Sequence, residues 1–207
     1  EGPTGNDTFD FASRANLVAP GEVDGNGGTD TISMTAPVTL GSGDFANVTS
    51  VETLQLTGAS TVTLGADAAT AGIVNIVTGA GTTGITDTNG VALSVDATAL
   101  ADDLTLTLAG SAARTVTGVR GDLAASGVSG ALNVTTVAVA SGLSIATGSG
   151  SNTITATALT AGQTLTLTGS SAATVALNAG NLSAGAYTGN LTVTGGTGAN
   201  TITAGSD

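Results

Sequence analysis

Short runs of alternating apolar and polar residues dominate this chain. The clearest are 104–108 and 165–168, in which Leu and Thr alternate strictly. Strict alternation predicts a strand with one buried and one solvated face, and Thr and Val suit such half-buried surfaces. Similar runs predict further strands at 8–11, 31–34, 53–57, 61–64, 73–78, 92–95, 114–119, 132–139, 143–146, 153–156, 173–177, 190–194 and 201–204.

The segments between these runs are rich in Gly, Ser, Asn and Asp, as turns require. No stretch combines a 3.6-residue period with caps, although 66–71 could form one helical turn. The pattern therefore predicts an all-β protein.

Internal repeats indicate how the strands are arranged. Gly110–Val116 matches Gly169–Val175 at an offset of 59 residues, and Gly148–Ala156 matches Gly196–Ala204 at an offset of 48. With a fainter copy at 54–62, these matches predict one repeat domain, 1–207. It comprises an acidic segment, 1–50, and three related units of two or three coils each, 51–103, 104–163 and 164–207.

Many short strands fit either a parallel β-solenoid, of the β-helix or β-roll kind, or a β-sandwich. Aromatic residues make up only 2% of the chain, whereas a sandwich core is usually anchored by several large rings. In a solenoid each coil buries its inner face on its neighbours, so repetition itself builds the core. The solenoid is therefore the preferred prediction, with the sandwich as the alternative.

The missing residue types restrict the chemistry. The chain has no Cys, His, Lys or Trp, which removes a thiol nucleophile, the usual general base and the usual zinc ligands. A polysaccharide-acting β-helix enzyme remains as an alternative, but only three Arg and one Tyr are present to serve it. The composition predicts a protein that is not an enzyme.

The net charge of −12 is unevenly placed. Thirteen of the fifteen acidic residues lie in 1–103 together with Arg14, whereas 104–207 carries two acids and two arginines. Nucleic acid is disfavoured as a partner because phosphate contacts need clustered bases, and no apolar run is long enough to predict a membrane span. An acidic half with a single base suits a divalent cation.

The strongest local motif is Asp24-Gly-Asn-Gly-Gly-Thr-Asp-Thr-Ile32, which is close to a glycine-rich calcium-binding nonapeptide. Its glycines permit a tight turn with inward carbonyls, Asp30 offers a hard oxygen ligand, and Ile32 begins the next strand. Gly5-Asn-Asp-Thr-Phe9 has the same ending, with Asp7 in the acidic position. Two such half-sites on adjacent coils could share one Ca²⁺, and the alternative is a pair of solvated turns.

The later copies of this motif lack the acid. Asn152 and Asn200 stand where Asp would be, so these turns are predicted to be free of metal and held by hydrogen bonds and packing. Asp87-Thr-Asn-Gly90 is a weaker calcium candidate.

These motifs, with the phrase Val48-Thr-Ser-Val-Glu-Thr-Leu54, resemble the repeats-in-toxin (RTX) class of secreted bacterial proteins, and most of all its surface-layer and adhesin branch, typified by the Caulobacter-type surface-layer protein family. The resemblance implies a calcium-binding β-solenoid that is exported by type I secretion and assembles on the cell surface. It implies calcium ligation by Asp7, Asp24, Asn26 and Asp30, with carbonyls from Gly5, Gly27 and Gly28. Uninterrupted tandem nonapeptides are missing, so a long ladder of calcium ions is not expected.

The expected function is an extracellular structural segment of a surface layer or cell-surface filament. Its expected partners are further copies of itself, in a lattice or filament, and cell-surface polysaccharide. The alternative is an adhesin or an ice-binding module, because Thr-x-Thr strands stacked in register can form a regular outer face. The uneven spacing of the strands argues against a flat face of this kind.

Overall fold

A computed structural model describes residues 2–19 and 21–205, so Glu1, Pro20 and the last two residues lie outside it. The described chain is a parallel β-solenoid of about nine turns, which confirms the predicted fold class. One strand from each successive coil forms the ten-stranded parallel sheet that we call the front sheet. Its strands are β1 (Thr8–Phe11), β3 (Thr31–Met34), β6 (Thr53–Gln55), β8 (Asn75–Val77), β10 (Leu93–Asp96), β12 (Arg114–Val119), β14 (Leu132–Thr136), β16 (Asn152–Ala156), β18 (Ala173–Leu177) and β20 (Leu191–Thr194).

A second parallel sheet of nine strands, the back sheet, alternates with the front sheet along the chain. Its strands are β4 (Thr39–Leu40), β7 (Ser60–Leu64), β9 (Thr83–Asp87), β11 (Thr105–Gly110), β13 (Asp122–Val128), β15 (Leu143–Ala146), β17 (Thr164–Thr168), β19 (Asn181–Ser183) and β21 (Ile202–Thr203). The predicted strands match elements of both sheets, but the sequence pattern did not predict β4, β9, β13 or β19.

The first three coils have additional short elements that the later coils lack. These are β2 (Val23–Asp24) and β5 (Val48–Thr49), which pair with each other, helices α1 (Arg14–Leu17) and α2 (Ala66–Ala71), and a 3-10 helix (Ser42–Phe45). The 3-10 helix contacts both α1 and α2, and Leu17, Phe45 and Ala68 are buried. Helix α2 is the helical turn that the sequence predicted. No helix among the described residues has the length and apolar character needed to cross a membrane.

The core is a stack of aliphatic side chains between the two sheets. In the front sheet one inward file runs in unbroken register from Phe9 through Ile32, Leu54, Ile76, Val95, Val116, Val134, Ile154 and Val175 to Val193. All members except the terminal Phe9 and Val193 are buried. Each coil thus buries its apolar residue on its two neighbours, which explains how the chain forms a core with so few aromatic rings.

The coils differ in length, although the sheets stay in register. Register partners in the front sheet are between 17 residues apart, as for Val119 and Thr136, and 23 apart, as for Phe9 and Ile32. The offset of 59 residues found in the sequence spans three coils, from Val116 to Val175. Differences in coil length are therefore absorbed mainly in the corners between strands.

Candidate metal centre

The two Asp/Gly turns of the sequence motif lie on adjacent coils. Because Thr8 pairs with Thr31, Asp7 and Asp30 occupy the same place, one residue before a front-sheet strand. The backbone N–H of Asp7 donates to Oδ1 of Asp30 at 2.7 Å. Gly28 has φ of +135° and packs so closely on the carbonyl of Gly5 that a Cβ would collide with it. The structure therefore brings the two predicted half-sites together.

Two carboxylate oxygens in this cluster have no hydrogen-bond partner among the residues that the structure describes. Asp30 is only 1% exposed, and its Oδ2 is buried without a hydrogen bond, as is Oδ2 of Asp7. A Cβ on Gly25 would collide with Oδ2 of Asp30, and one on Gly2 would collide with Oδ2 of Asp7. A buried, ionised oxygen without a partner is costly, so these two oxygens fit a bound cation.

Asp24 and Asn26 shape the turn beside this pair. Asn26 adopts the left-handed conformation, with φ of +61°, and its Nδ2 donates to the carbonyl of Gly2 at 2.6 Å. The backbone N–H of Asn26 donates to Oδ1 of Asp24 at 2.9 Å. This bond, with a smaller contribution from the Thr49 side chain, lowers the pKa of Asp24 below its usual range. Asp24 therefore stays ionised, and it accepts hydrogen bonds from its own turn and from Thr49.

The three glycines predicted to supply carbonyls lie in the same two turns. All three glycines are exposed. Gly28 lies against the carbonyl of Gly5 on the preceding coil, whereas a Cβ on Gly5 or on Gly27 would meet no atom within 4 Å.

Sequence reasoning missed one acidic residue of this cluster. Glu52 lies one coil beyond Asp30, because Thr31 pairs with Thr53, and its Oε2 accepts the backbone N–H of Asp30 at 2.8 Å. The signal was present as an acid-Thr-apolar triplet that recurs at Asp7, Asp30 and Glu52. In the described chain no group of three or more acidic side chains is close enough to hold a metal ion by itself. A cation here would therefore also need carbonyl or amide oxygens.

The register position held by Asp7, Asp30 and Glu52 in the first coils is not acidic in the later coils. There it is held in turn by Leu93, Arg114, Leu132 and Asn152. Asn152 is buried, and its Nδ2 donates to the carbonyls of Gly148, Gly150 and Ala172 at 3.4, 2.9 and 3.1 Å. Asn200 similarly donates to the carbonyls of Asn178 and Gly180, at 3.2 and 2.6 Å. The prediction that Asn closes its turn by hydrogen bonds is confirmed for Asn152, whereas the Asn200 side chain bonds to the preceding coil instead of to its own turn.

Asp87, the weaker calcium candidate, has other partners. Its Oδ2 lies 3.0 Å from Nη2 of Arg114, and both side chains are buried. Its two oxygens also accept the backbone N–H groups of Asn89 and Val91, each at 3.0 Å. With a guanidinium already neutralising it, Asp87 is a poor calcium ligand.

The other two arginines also face aspartates. Arg14 donates from Nε and Nη2 to the two oxygens of Asp44, each at 2.7 Å, which lowers the pKa of Asp44 below its usual range. Arg120 lies 3.5 Å from Asp102. Each of the three arginines is thus beside a carboxylate.

The outer face of the front sheet carries the Thr-x-Thr pattern over its last coils. One file runs Asn133, Thr153, Thr174, Thr192, and a second runs Thr135, Thr155, Ala176, Thr194. Register is kept here despite the unequal coil lengths, but a bulge in β12 breaks it before this region. An adhesin or ice-binding role for this face stays an alternative prediction.

Neither a protein-family model, nor a curated protein, nor a solved structure matches this chain.

Proposed function

We propose that this chain is a structural segment of a bacterial surface layer or cell-surface filament, exported by type I secretion and stabilised by calcium at its acidic end. The calcium site is supported by the Oδ2 atoms of Asp7 and Asp30, which lie on adjacent coils and are buried without a hydrogen-bond partner among the described residues. The surface location and the secretion route rest on the resemblance of the Asp/Gly motifs to the RTX class.

Calcium would act as a link between the first two coils. Ca²⁺ takes six to eight oxygen ligands, and Asp7 and Asp30 supply carboxylates from different coils. The side chain of Asn26 and the carbonyls of the flanking glycines, Gly5, Gly27 and Gly28, are the additional oxygens. Because the ligands come from separate coils, an ion bound to them would stabilise their stacking.

A structural rather than a catalytic role is supported by the placement of the charged side chains. All three arginines face aspartates, and residues 123–206 contain no Asp, Glu, Lys or Arg. A polysaccharide-cleaving site would need acids together with a base in one cleft. The long uncharged stack instead suits a rigid spacer or an assembly surface, with other copies of the chain and cell-surface polysaccharide as its proposed partners.

Isothermal titration of the metal-free chain with Ca²⁺ tests the proposal, with Asp30→Asn as the diagnostic variant. We expect the variant to bind at least about tenfold more weakly, because a charged ligand is replaced by a neutral one. Asp103→Asn is the matched control, since it removes the same charge from an exposed turn, and its affinity should be that of the unaltered chain. Equal affinity in Asp30→Asn, or no binding by the unaltered chain, would contradict the proposed site.

A further inference from the structure

The turn before β6 places a backbone oxygen beside the buried carboxylate of Asp30. Ser50 lies in this turn and adopts the left-handed conformation, with φ of +53°, which is uncommon for a residue other than glycine. A Cβ on Gly25 would collide with both the Ser50 carbonyl oxygen and Oδ2 of Asp30, so the two oxygens face the same side of Gly25. Neither oxygen accepts a hydrogen bond from a residue that the structure describes. Two hydrogen-bond acceptors that converge in this way favour a cation between them.

Glu52, two residues after Ser50, holds the backbone of Asp30. Its Oε2 accepts the N–H of Asp30 at 2.8 Å, and its own N–H donates to the carbonyl of Asp30 at 3.2 Å. The other carboxylate oxygen of Glu52 lies beside Gly72, where a Cβ would be 3.7 Å from it. Glu52 is therefore placed to fix the backbone of Asp30, and with it the direction in which the Asp30 side chain leaves the chain.

The three acids at this register position have no cationic side chain to balance them among the described residues. Asp7, Asp30 and Glu52 precede three successive strands of the front sheet, whereas the three arginines are paired with other aspartates. Carboxylates stacked on adjacent coils repel one another, and a cation bound among them relieves the repulsion. The charge of Glu52 thus increases the attraction for a cation even if Glu52 does not touch it.

We propose that the cation site at Asp30 extends to the turn before β6, with the Ser50 carbonyl as a ligand and Glu52 as a positioning residue. This extension rests on the proposed calcium function, and it adds oxygens from one coil beyond Asp30. Glu52 acts through the backbone of Asp30 and through its charge. A bound ion would then join the second and third coils as well as the first and second.

Carbonyl NMR tests whether Ser50 is a ligand. Ser is followed by Val at only two places in the chain, Ser50–Val51 and Ser94–Val95. In a chain labelled with carbonyl-¹³C Ser and ¹⁵N Val, a spectrum that correlates each ¹⁵N with the preceding carbonyl therefore shows two signals, and Ser94→Ala assigns them. We expect added Ca²⁺ to shift the Ser50 carbonyl signal. The Ser94 signal should stay in place, because Ser94 lies on the exposed face of β10.

Glu52→Gln tests the positioning role, because Gln keeps an oxygen that can accept the N–H of Asp30 but loses the charge. We expect the Kd for Ca²⁺ to rise at least about fivefold, while the Tm in a chelator stays the same or rises because one repelling charge is gone. A purely structural Glu52 would instead give a lower Tm in chelator and an unchanged Kd. Glu22→Gln is the matched control, since Glu22 is exposed, and its Kd should be that of the unaltered chain.

The outcomes separate this extension from the proposed function. If the unaltered chain binds Ca²⁺ but the Ser50 signal does not move, or if Glu52→Gln keeps the original Kd, the extension is wrong and the calcium site of Asp7 and Asp30 remains. An equal rise in Kd for Glu22→Gln would also contradict it, because net charge alone would then explain the change. If the unaltered chain binds no Ca²⁺, the extension and the proposed calcium function both fail.

Discussion

Arg114 crosses the inside of a corner between the back and front sheets. Its guanidinium contacts Asp87 and donates to the carbonyls of Val91 and Ala113 at 2.8 and 3.0 Å. Gly110, with φ of +134°, leaves the space that the guanidinium fills, since a Cβ there would collide with Nη2. One buried ion pair thus links the ends of three strands, β9, β11 and β12.

Removing one partner of this pair should be strongly destabilising. Arg114→Met would leave the Asp87 carboxylate buried with only its backbone donors, which is expected to cost about 3–5 kcal/mol of unfolding free energy. Arg120→Met is the control, because its pair with Asp102 is partly exposed and should contribute less than about 1 kcal/mol. Urea denaturation measures both changes, and similar losses for the two variants would contradict a special role for Arg114.

For single residues, the sequence predicts the side-chain contacts that are made within one turn. The Asp/Gly turns and the Asn substitution at Asn152 could be recognised because each of these motifs shapes its own turn. The contacts between Asp87 and Arg114 and between Glu52 and Asp30 could not, since they join residues 27 and 22 positions apart. Only the register between coils brings these side chains together.

At the scale of elements, one strand sequence serves both sheets. Asn-Thr-Ile-Thr-Ala occurs at 152–156 and again at 200–204. The first copy contains front-sheet strand β16, and the second contains back-sheet strand β21. Both sheets need the same alternation of inward aliphatic and outward Thr residues, so the motif specifies a strand but not its sheet.

The two copies give a matched test of how much the stack contributes to stability. Ile154 is fully buried between coils, whereas Ile202 is 45% exposed at the C-terminal end. Ile154→Ala should cost about 2–5 kcal/mol because it opens a cavity in the core, and Ile202→Ala less than about 1 kcal/mol. Chemical denaturation of the monomer would contradict this account if the two costs were equal.

The strands that sequence analysis missed have weak local signals. Strand β9 is interrupted by Gly84, and β13 is made largely of Ala, Ser and Gly, which have little intrinsic preference for strands. Both form because strands on the neighbouring coils pair with them on each side. The clear alternation in β11 and β17 was enough to predict these strands. Strands such as β9 and β13, which depend on pairing with neighbouring coils, could not be predicted from their own residues.

On the scale of the whole molecule, the stack has two chemically different parts. The first three coils contain the helices, the side strands and the cluster of Asp7, Asp30 and Glu52. In the later coils Asn152 closes its turn, Asn200 bonds to the preceding coil, and glycines pack tightly between the coils. We therefore expect calcium dependence in the first part, and the uncharged stack lies beyond it.

Thermal unfolding in calcium and in a chelator measures how much bound calcium stabilises the folded chain. With Ca²⁺ in hundred-fold excess over its Kd, binding to the folded state alone adds roughly 2.7 kcal/mol, which corresponds to a rise of about 5–10 °C in Tm for a chain of this size. We expect this rise in Tm for the unaltered chain and little or no rise for Asp30→Asn. The same Tm in calcium and in chelator for the unaltered chain would contradict the proposed calcium role.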